Sequence, residues 1–190
     1  MQPGICEIAD SIELIDGLGQ SPFVKGPKGI TVHYSADGSF ERVKRELFAT
    51  KIGYHFLIKK DGKIIQTAKI DRCVNHAGKA DWNGQSPNRT HIAVAFICWG
   101  LLSKEGKTWN GLQIDNPVTR RGFTWEPASK EQEESLRRLC RYLMLTFKIW
   151  PEDICGHDEC AIPAGRKVDP GGSLVKSMPD LRAELSTGMG

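Results

Sequence analysis

The sequence predicts an α/β fold: a single domain with a mixed central β-sheet flanked by α-helices. Three observations carry that expectation. Residues 92–99, Ile-Ala-Val-Ala-Phe-Ile-Cys-Trp, form an unbroken apolar run, the pattern of a strand covered on both faces. Leu136, Leu139, Cys140, Leu143, Met144 and Phe147 recur at helical spacing, so a long covering helix lies near the end of the chain. Between these and before them, β-branched segments alternate with helical ones, which is how sheet-and-helix layers are encoded. At 190 residues the chain is the size of one domain with a substantial core.

Taken in order, residues 1–29 are punctuated by Gly and Pro, with a short apolar stretch at Ile12, Leu14 and Ile15. They read as an N-terminal extension to a domain spanning 30–176. Residues 30–34, Ile-Thr-Val-His-Tyr, are a strand ending in polar groups. After Ser35-Ala-Asp-Gly-Ser39, the residues Phe40, Val43, Leu47 and Phe48 follow helical spacing. Residues 54–58 and 63–66 flank Lys60-Asp61-Gly62, and Asp-Gly between apolar runs marks a hairpin. Residues 100–128 mix Gly, Asn, Pro and charge with Trp109 and Trp125 and read as an extended loop excursion. Ser129 with Gln132 fits a capping box, and Pro151 stops the helix that follows. Residues 177–190 are expected to form a short helix, starting near Ser177-Met-Pro-Asp180, and a tail.

Composition excludes several classes. The hydrophobic fraction of 39% and charged fraction of 26% are ordinary for a globular protein. No apolar run approaches the roughly 20 residues that span a bilayer, so no membrane insertion is expected. The first ten residues lack a basic start followed by an apolar stretch, so the expected compartment is the cytoplasm. A net charge of +3 gives no argument for nucleic acid. The six cysteines form no CxxC pair and read as reduced, several of them buried. A monomer is expected.

The chemistry concentrates in Gly156-His-Asp-Glu-Cys-Ala-Ile-Pro-Ala-Gly-Arg-Lys-Val-Asp-Pro-Gly171. His157 and Asp169 are good zinc ligands, and Lys167 stands two residues before Asp169. Three protein ligands and one open position make a catalytic zinc site, whereas four make a structural one. His33, at a strand end, is the candidate third ligand. Cys155 and Cys160 flank His157 and compete with Asp169, because thiolate also binds zinc well.

Val32-His33-Tyr34-Ser35, Gly53-Tyr54-His55-Phe56 with Lys60-Asp61-Gly62, Asn75-His76-Ala77-Gly78 and the 156–171 segment follow one another in that order. Together they resemble the zinc N-acetylmuramoyl-L-alanine amidases, the superfamily of phage lysis amidases, cytosolic wall-recycling amidases and peptidoglycan recognition proteins. The resemblance covers residues 28–175. It implies an amidase/peptidoglycan-recognition-protein-like fold and Zn2+ held by His33, His157 and Asp169. It also implies cleavage of the amide between the lactyl group of N-acetylmuramic acid and L-alanine, in peptidoglycan or muropeptides. Lys167 matches the family's catalytic lysine, which stabilises the oxyanion. The 157–165 loop is about two residues longer than the common form, at Ala161-Ile162.

Some branches carry a glutamate in the central strand; here Ala95 takes that place. The phage-type branch lacks it too and has a tyrosine that corresponds to Tyr54. A phenol of pKa near 10 is a poor base, so Tyr54 is expected to orient water or hydrogen-bond the oxyanion. That departure tilts the expectation to a phage-type lysis enzyme; the alternatives are a cytosolic muropeptide-recycling amidase and a non-catalytic recognition module. The resemblance makes His76 a substrate contact, and Trp82 and Asn88 are candidates for binding sugar and stem peptide. His55 faces away from Tyr54 on the same strand and is expected to be a packed or surface histidine; His91 is expected to be structural, and Arg166 structural or a contact at the rim.

Overall fold

A computed structural model describes residues 3–19 and 21–187; residues 188–190 of the expected tail lie outside them. The chain runs β1 (Ser11–Ile12), β2 (Ser21–Pro22), β3 (Gly29–Tyr34), α1 (Phe40–Thr50), β4 (Phe56–Ile58), β5 (Ile64–Gln66) and β6 (Arg72–Cys73). It continues with α2 (Pro87–Thr90), β7 (His91–Phe96), β8 (Leu101–Leu102), β9 (Val118–Arg120), β10 (Phe123–Trp125) and α3 (Lys130–Phe147). It ends with β11 (Ile154–Gly156), α4 (His157–Cys160) and α5 (Met178–Ser186).

The main sheet has six strands in the order β1-β5-β4-β7-β3-β11. It is mixed: β3 pairs in parallel with β7 and β11, and β4 with β7, while β4 and β5 are antiparallel. Every residue of β7 is buried, which explains its continuous apolar sequence. Register sorts the faces, because partners across neighbouring strands point the same way. His33, Ala95 and Leu57 stand side by side, and Ala95 and Leu57 pack with Phe40, Val43 and Leu47 of α1. On the other face Val32, Val94 and Phe56 pack with Leu136, Leu139 and Leu143 of α3. His33 therefore emerges on the α1 side.

The capping box of α3 forms as expected: Ser129 accepts from the Gln132 amide and Gln132 from the Ser129 amide. Gln132 Nε2 also donates to the carbonyls of Ile58 and Ile97, at 2.9 and 3.2 Å, tying the helix start to two strand ends. The hairpin turns at Gly62, whose φ of 82° favours glycine. All six cysteines are buried and unpaired.

Two segments differ from the expectation. Residues 1–29, read as an extension, supply the edge strand β1 and place Cys6 and Phe23 in the core cluster. The 100–128 excursion holds its own antiparallel sheet, ordered β8-β10-β9. Strands of two or three residues carry too few positions to display an alternation, so both escaped the sequence.

Candidate active site

The sheet register builds the site. Gly156, the last residue of β11, pairs with Val32, so the next residue in each strand direction, His157 and His33, arrive together. The loop after α4 brings in Asp169, held at its backbone by a 2.7 Å bond from the Asp158 amide to its carbonyl. Asp169 Oδ2 lies 2.8 Å from His33 Nδ1 and 3.0 Å from His157 Nδ1. All three residues are buried, and they are the metal-competent His/Cys/Asp/Glu group among the described residues, with ligand atoms within 4.8 Å of one another.

The outer ring nitrogens settle what the inner ones offer. His157 Nε2 is 3.0 Å from the Ala77 carbonyl, and His76 Nε2 is 3.2 Å from the Pro87 carbonyl. A carbonyl only accepts, so both nitrogens carry hydrogen. Neutral His76 then accepts at Nδ1, and His33 Nε2, 3.0 Å away, donates to it. In their neutral forms His33 and His157 thus turn bare Nδ1 lone pairs towards a carboxylate oxygen. Burial lowers the pKa of His33 against the pull of Asp169, favouring that neutral form. Burial opposes ionisation of Asp169, but the facing rings of His157 and His33, as sites for positive charge, outweigh it and hold its carboxyl well below the usual carboxylate range. Lone pairs converging on an anion are matched by a positive species between them, whether ring protons or a metal cation. Two imidazoles and a carboxylate suit zinc, whose tetrahedral bonds of about 2.0–2.1 Å set donors roughly 3.3 Å apart.

Beside the cluster a cleft of about 180 Å³ is lined by Ser35, Glu46, Gly53, Tyr54 and His76, among others. The Tyr54 ring lies 5.2 Å from that of His33. Burial, and next the charge of Asp169, push its phenol pKa up, so it remains a hydrogen-bond donor at neutral pH. His55, on the opposite side, stacks on Phe23 and bonds the Ala93 amide and the Arg72 carbonyl. It is a packed histidine, one of the two settings expected. His91 is buried and bonds Thr31 Oγ1 at 2.9 Å.

The remaining expected site residues are placed unevenly. Lys167 is exposed and enters no hydrogen bond or ion pair among the described residues, yet its charge reaches His33. Both His76 nitrogens are engaged by protein groups, so it backs His33 from within the site. Asn88 accepts from the amides of His76 and Ala77, both at 2.8 Å, and donates to the Gly78 carbonyl at 2.7 Å. Its amide holds the 76–78 loop. Trp82 stands apart from the cluster: its indole donates to the Glu152 carbonyl at 3.0 Å, and Arg182 lies over its ring. Arg166 is structural, donating to the carbonyls of Ala77 and Lys79. Cys160 is not in the metal-competent group; its thiol lies 3.6 Å from the His157 carbonyl. The orienting carbonyls of Ala77 and Pro87 were missed in the sequence, since backbone groups leave no residue-type signal.

The family model described as N-acetylmuramoyl-L-alanine amidase matches residues 23–172. The chain belongs to this family. No curated protein matches it in sequence. Among solved structures it is similar to the N-acetylmuramyl-L-alanine amidase AmiD from E. coli, in complex with anhydro-N-acetylmuramic acid-L-Ala-D-γ-Glu-L-Lys. The TM-score is 0.66 at 22% identity, over 88% of this chain and 60% of AmiD. AmpDh3 from Pseudomonas aeruginosa, in complex with anhydromuramic pentapeptide, gives 0.64 at 21%, over 88% and 62%. The amidase LysC from Clostridium intestinale URNW gives 0.57 at 21%, over 92% and 97%. This chain therefore spans about three fifths of AmiD and AmpDh3 and nearly all of LysC. At these identities the likeness establishes the family's fold.

Proposed function

We propose that this chain is a zinc-dependent N-acetylmuramoyl-L-alanine amidase, with peptidoglycan or its muropeptides as substrate. The observation that carries the reading is the convergence of His33 Nδ1, His157 Nδ1 and Asp169 Oδ2 beside a cleft. Zinc held by these three supplies a Lewis acid for the scissile carbonyl and an acidified water. The chain's own groups do the rest. His76 and the Ala77 carbonyl fix the ring orientation of the two imidazoles through their outer nitrogens, as partners behind metal ligands do. Tyr54, kept protonated, donates to the developing oxyanion, and Lys167 adds a cation within reach of the same point. Ala95 stands beside His33 on the central strand, so no carboxylate base comes from there. That absence favours a lysis-type role over recycling of soluble fragments.

The test incubates the purified protein with the muropeptide anhydro-N-acetylmuramic acid-L-Ala-D-γ-Glu-L-Lys, with and without chelator. Release of peptide with a free N-terminal L-alanine, abolished by chelation and restored by zinc, is expected. Tight binding without product would leave the recognition-module reading in its place. Faster cleavage of intact wall than of the soluble fragment is the outcome that the lysis-type role requires.

A further inference from the structure

Asp169 is followed by Pro170, Gly171, Gly172 and Ser173. Adjacent glycines have the greatest backbone freedom to lose on ordering, so local chain stiffness does not hold this carboxylate in place. Beyond the Asp158 amide, which bonds the carbonyl of Asp169 itself, contacts from the 100–128 segment do. Arg121 Nη1 donates to the Gly171 carbonyl at 2.6 Å, Arg120 Nη1 to that of Gly172 at 3.2 Å, and the Ala128 amide to that of Ser173 at 2.9 Å. The Trp125 indole lies against both glycines, and a Cβ on either would run into its ring. Trp125 is itself locked, 2% exposed and donating from Nε1 to the Arg120 carbonyl at 2.8 Å. Its ring also meets those of Phe123, with centroids 6.1 Å apart, and Tyr34, next in sequence to His33, at 6.4 Å.

We propose that the small sheet between β7 and α3 is a clamp on the ligand-bearing loop, and that Arg121, Arg120 and Trp125 are positioning residues for Asp169. The inference rests on the cluster being a zinc site. Arg121 makes the case most cleanly. It is exposed at the β9–β10 turn with φ 53°, and among the described residues it is in no ion pair and its side chain hydrogen-bonds the Gly171 carbonyl alone, though its charge is felt at Asp158 and Asp180. The guanidinium is open to water while the bond itself is part-buried, so one such bond adds modestly to global stability. Its effect is local, on the backbone two residues from a ligand.

The test compares the parent protein with Arg120→Ala/Arg121→Ala in zinc affinity, measured by competition with a chromogenic chelator. The metal-free melting temperature is followed in parallel. Loss of outer-shell support costs about 10–100-fold in metal affinity, and that is the loss expected here. The metal-free midpoint should move by no more than about 4 °C, as for the loss of one or two part-buried bonds in a domain of this size. Arg121→Lys, which keeps a charged N–H donor, should recover part of the affinity. Should the double variant fail to fold, Arg121→Ala alone, at its exposed site, gives the same readout. Parental affinity in these variants overturns the clamp. So does an equal loss in Arg138→Ala, a control that removes the same charge from α3. A loss of affinity that merely tracks a fall in the metal-free midpoint also overturns it. Failure of the parent to bind zinc is a separate outcome, and that one sinks the zinc site itself.

Discussion

Lys167 and Asp169 stand two residues apart and do different work. Asp169 is buried and faces two imidazoles, whereas Lys167 is exposed and without a partner among the described residues. Replacing Lys167 by Ala should therefore leave zinc content unchanged and lower kcat by about a hundredfold or more, the typical effect of removing one oxyanion stabiliser. Turnover within a factor of two of the parent would take Lys167 out of the mechanism. The competing ligand, Cys160, is turned towards its own helix backbone, and its neighbour Cys155 has its thiol pushed up well above the usual value by burial. Asp169→Ala should lose bound zinc on dialysis while Cys160→Ser retains it; the reverse pattern would exchange the third ligand.

Among the elements, the loop over residues 75–78 depends most on a single side chain. Asn88 fastens the amides of His76 and Ala77, and the Ala77 carbonyl in turn orients His157. Asn88→Ala should weaken zinc binding by about tenfold, as outer-shell losses do. Asn88→Asp, which keeps the accepting oxygen, should lie between the two; unchanged affinity in the Ala variant would return Asn88 to the role of substrate contact. This partnership was not legible in the sequence, where Asn88 was simply an amide in a loop near the groove. Long periodic elements were legible: α3 with its cap, and β7 with its apolar run, each contain enough positions to reveal their period. The metal-competent trio of His33, His157 and Asp169 could be picked out because residue type and the order of the motifs carry that resemblance. The setting of Trp82 was not legible, because an indole in a loop looks the same in sequence whether or not its N–H meets a backbone carbonyl, here that of Glu152. The Arg121 contact was invisible for a related reason: its partner is a backbone oxygen 50 residues away.

At the scale of the whole molecule, the histidines set a pH limit. His33, His55, His76 and His91 are all buried, and burial lowers the pKa of each, that of His55 and His91 to about 4. Their bonds assume neutral rings: His55 accepts from the Ala93 amide at Nδ1 and donates to the Arg72 carbonyl at Nε2. A folded-state pKa below the unfolded value of about 6.5 makes the contribution complete above pH 6.5. It is lost as pH falls towards 4. Asp158 acts in the opposite sense. Burial raises its carboxyl to about 6, so its contribution is full at low pH and is lost as pH rises through 6. One such group does not offset four histidines. By linkage, His55 and His91 each forfeit stability on the order of 2–3 kcal/mol between pH 7 and 4.5, a large part of the 5–15 kcal/mol typical of a domain. Urea unfolding of the metal-stripped protein should show a midpoint that falls steeply across that interval, before most carboxylates titrate. A midpoint that stays level from pH 7 to 4.5 would mean that these rings gain protons without leaving their sites, and the buried neutral histidines would then not be what ties the sheet to its loops.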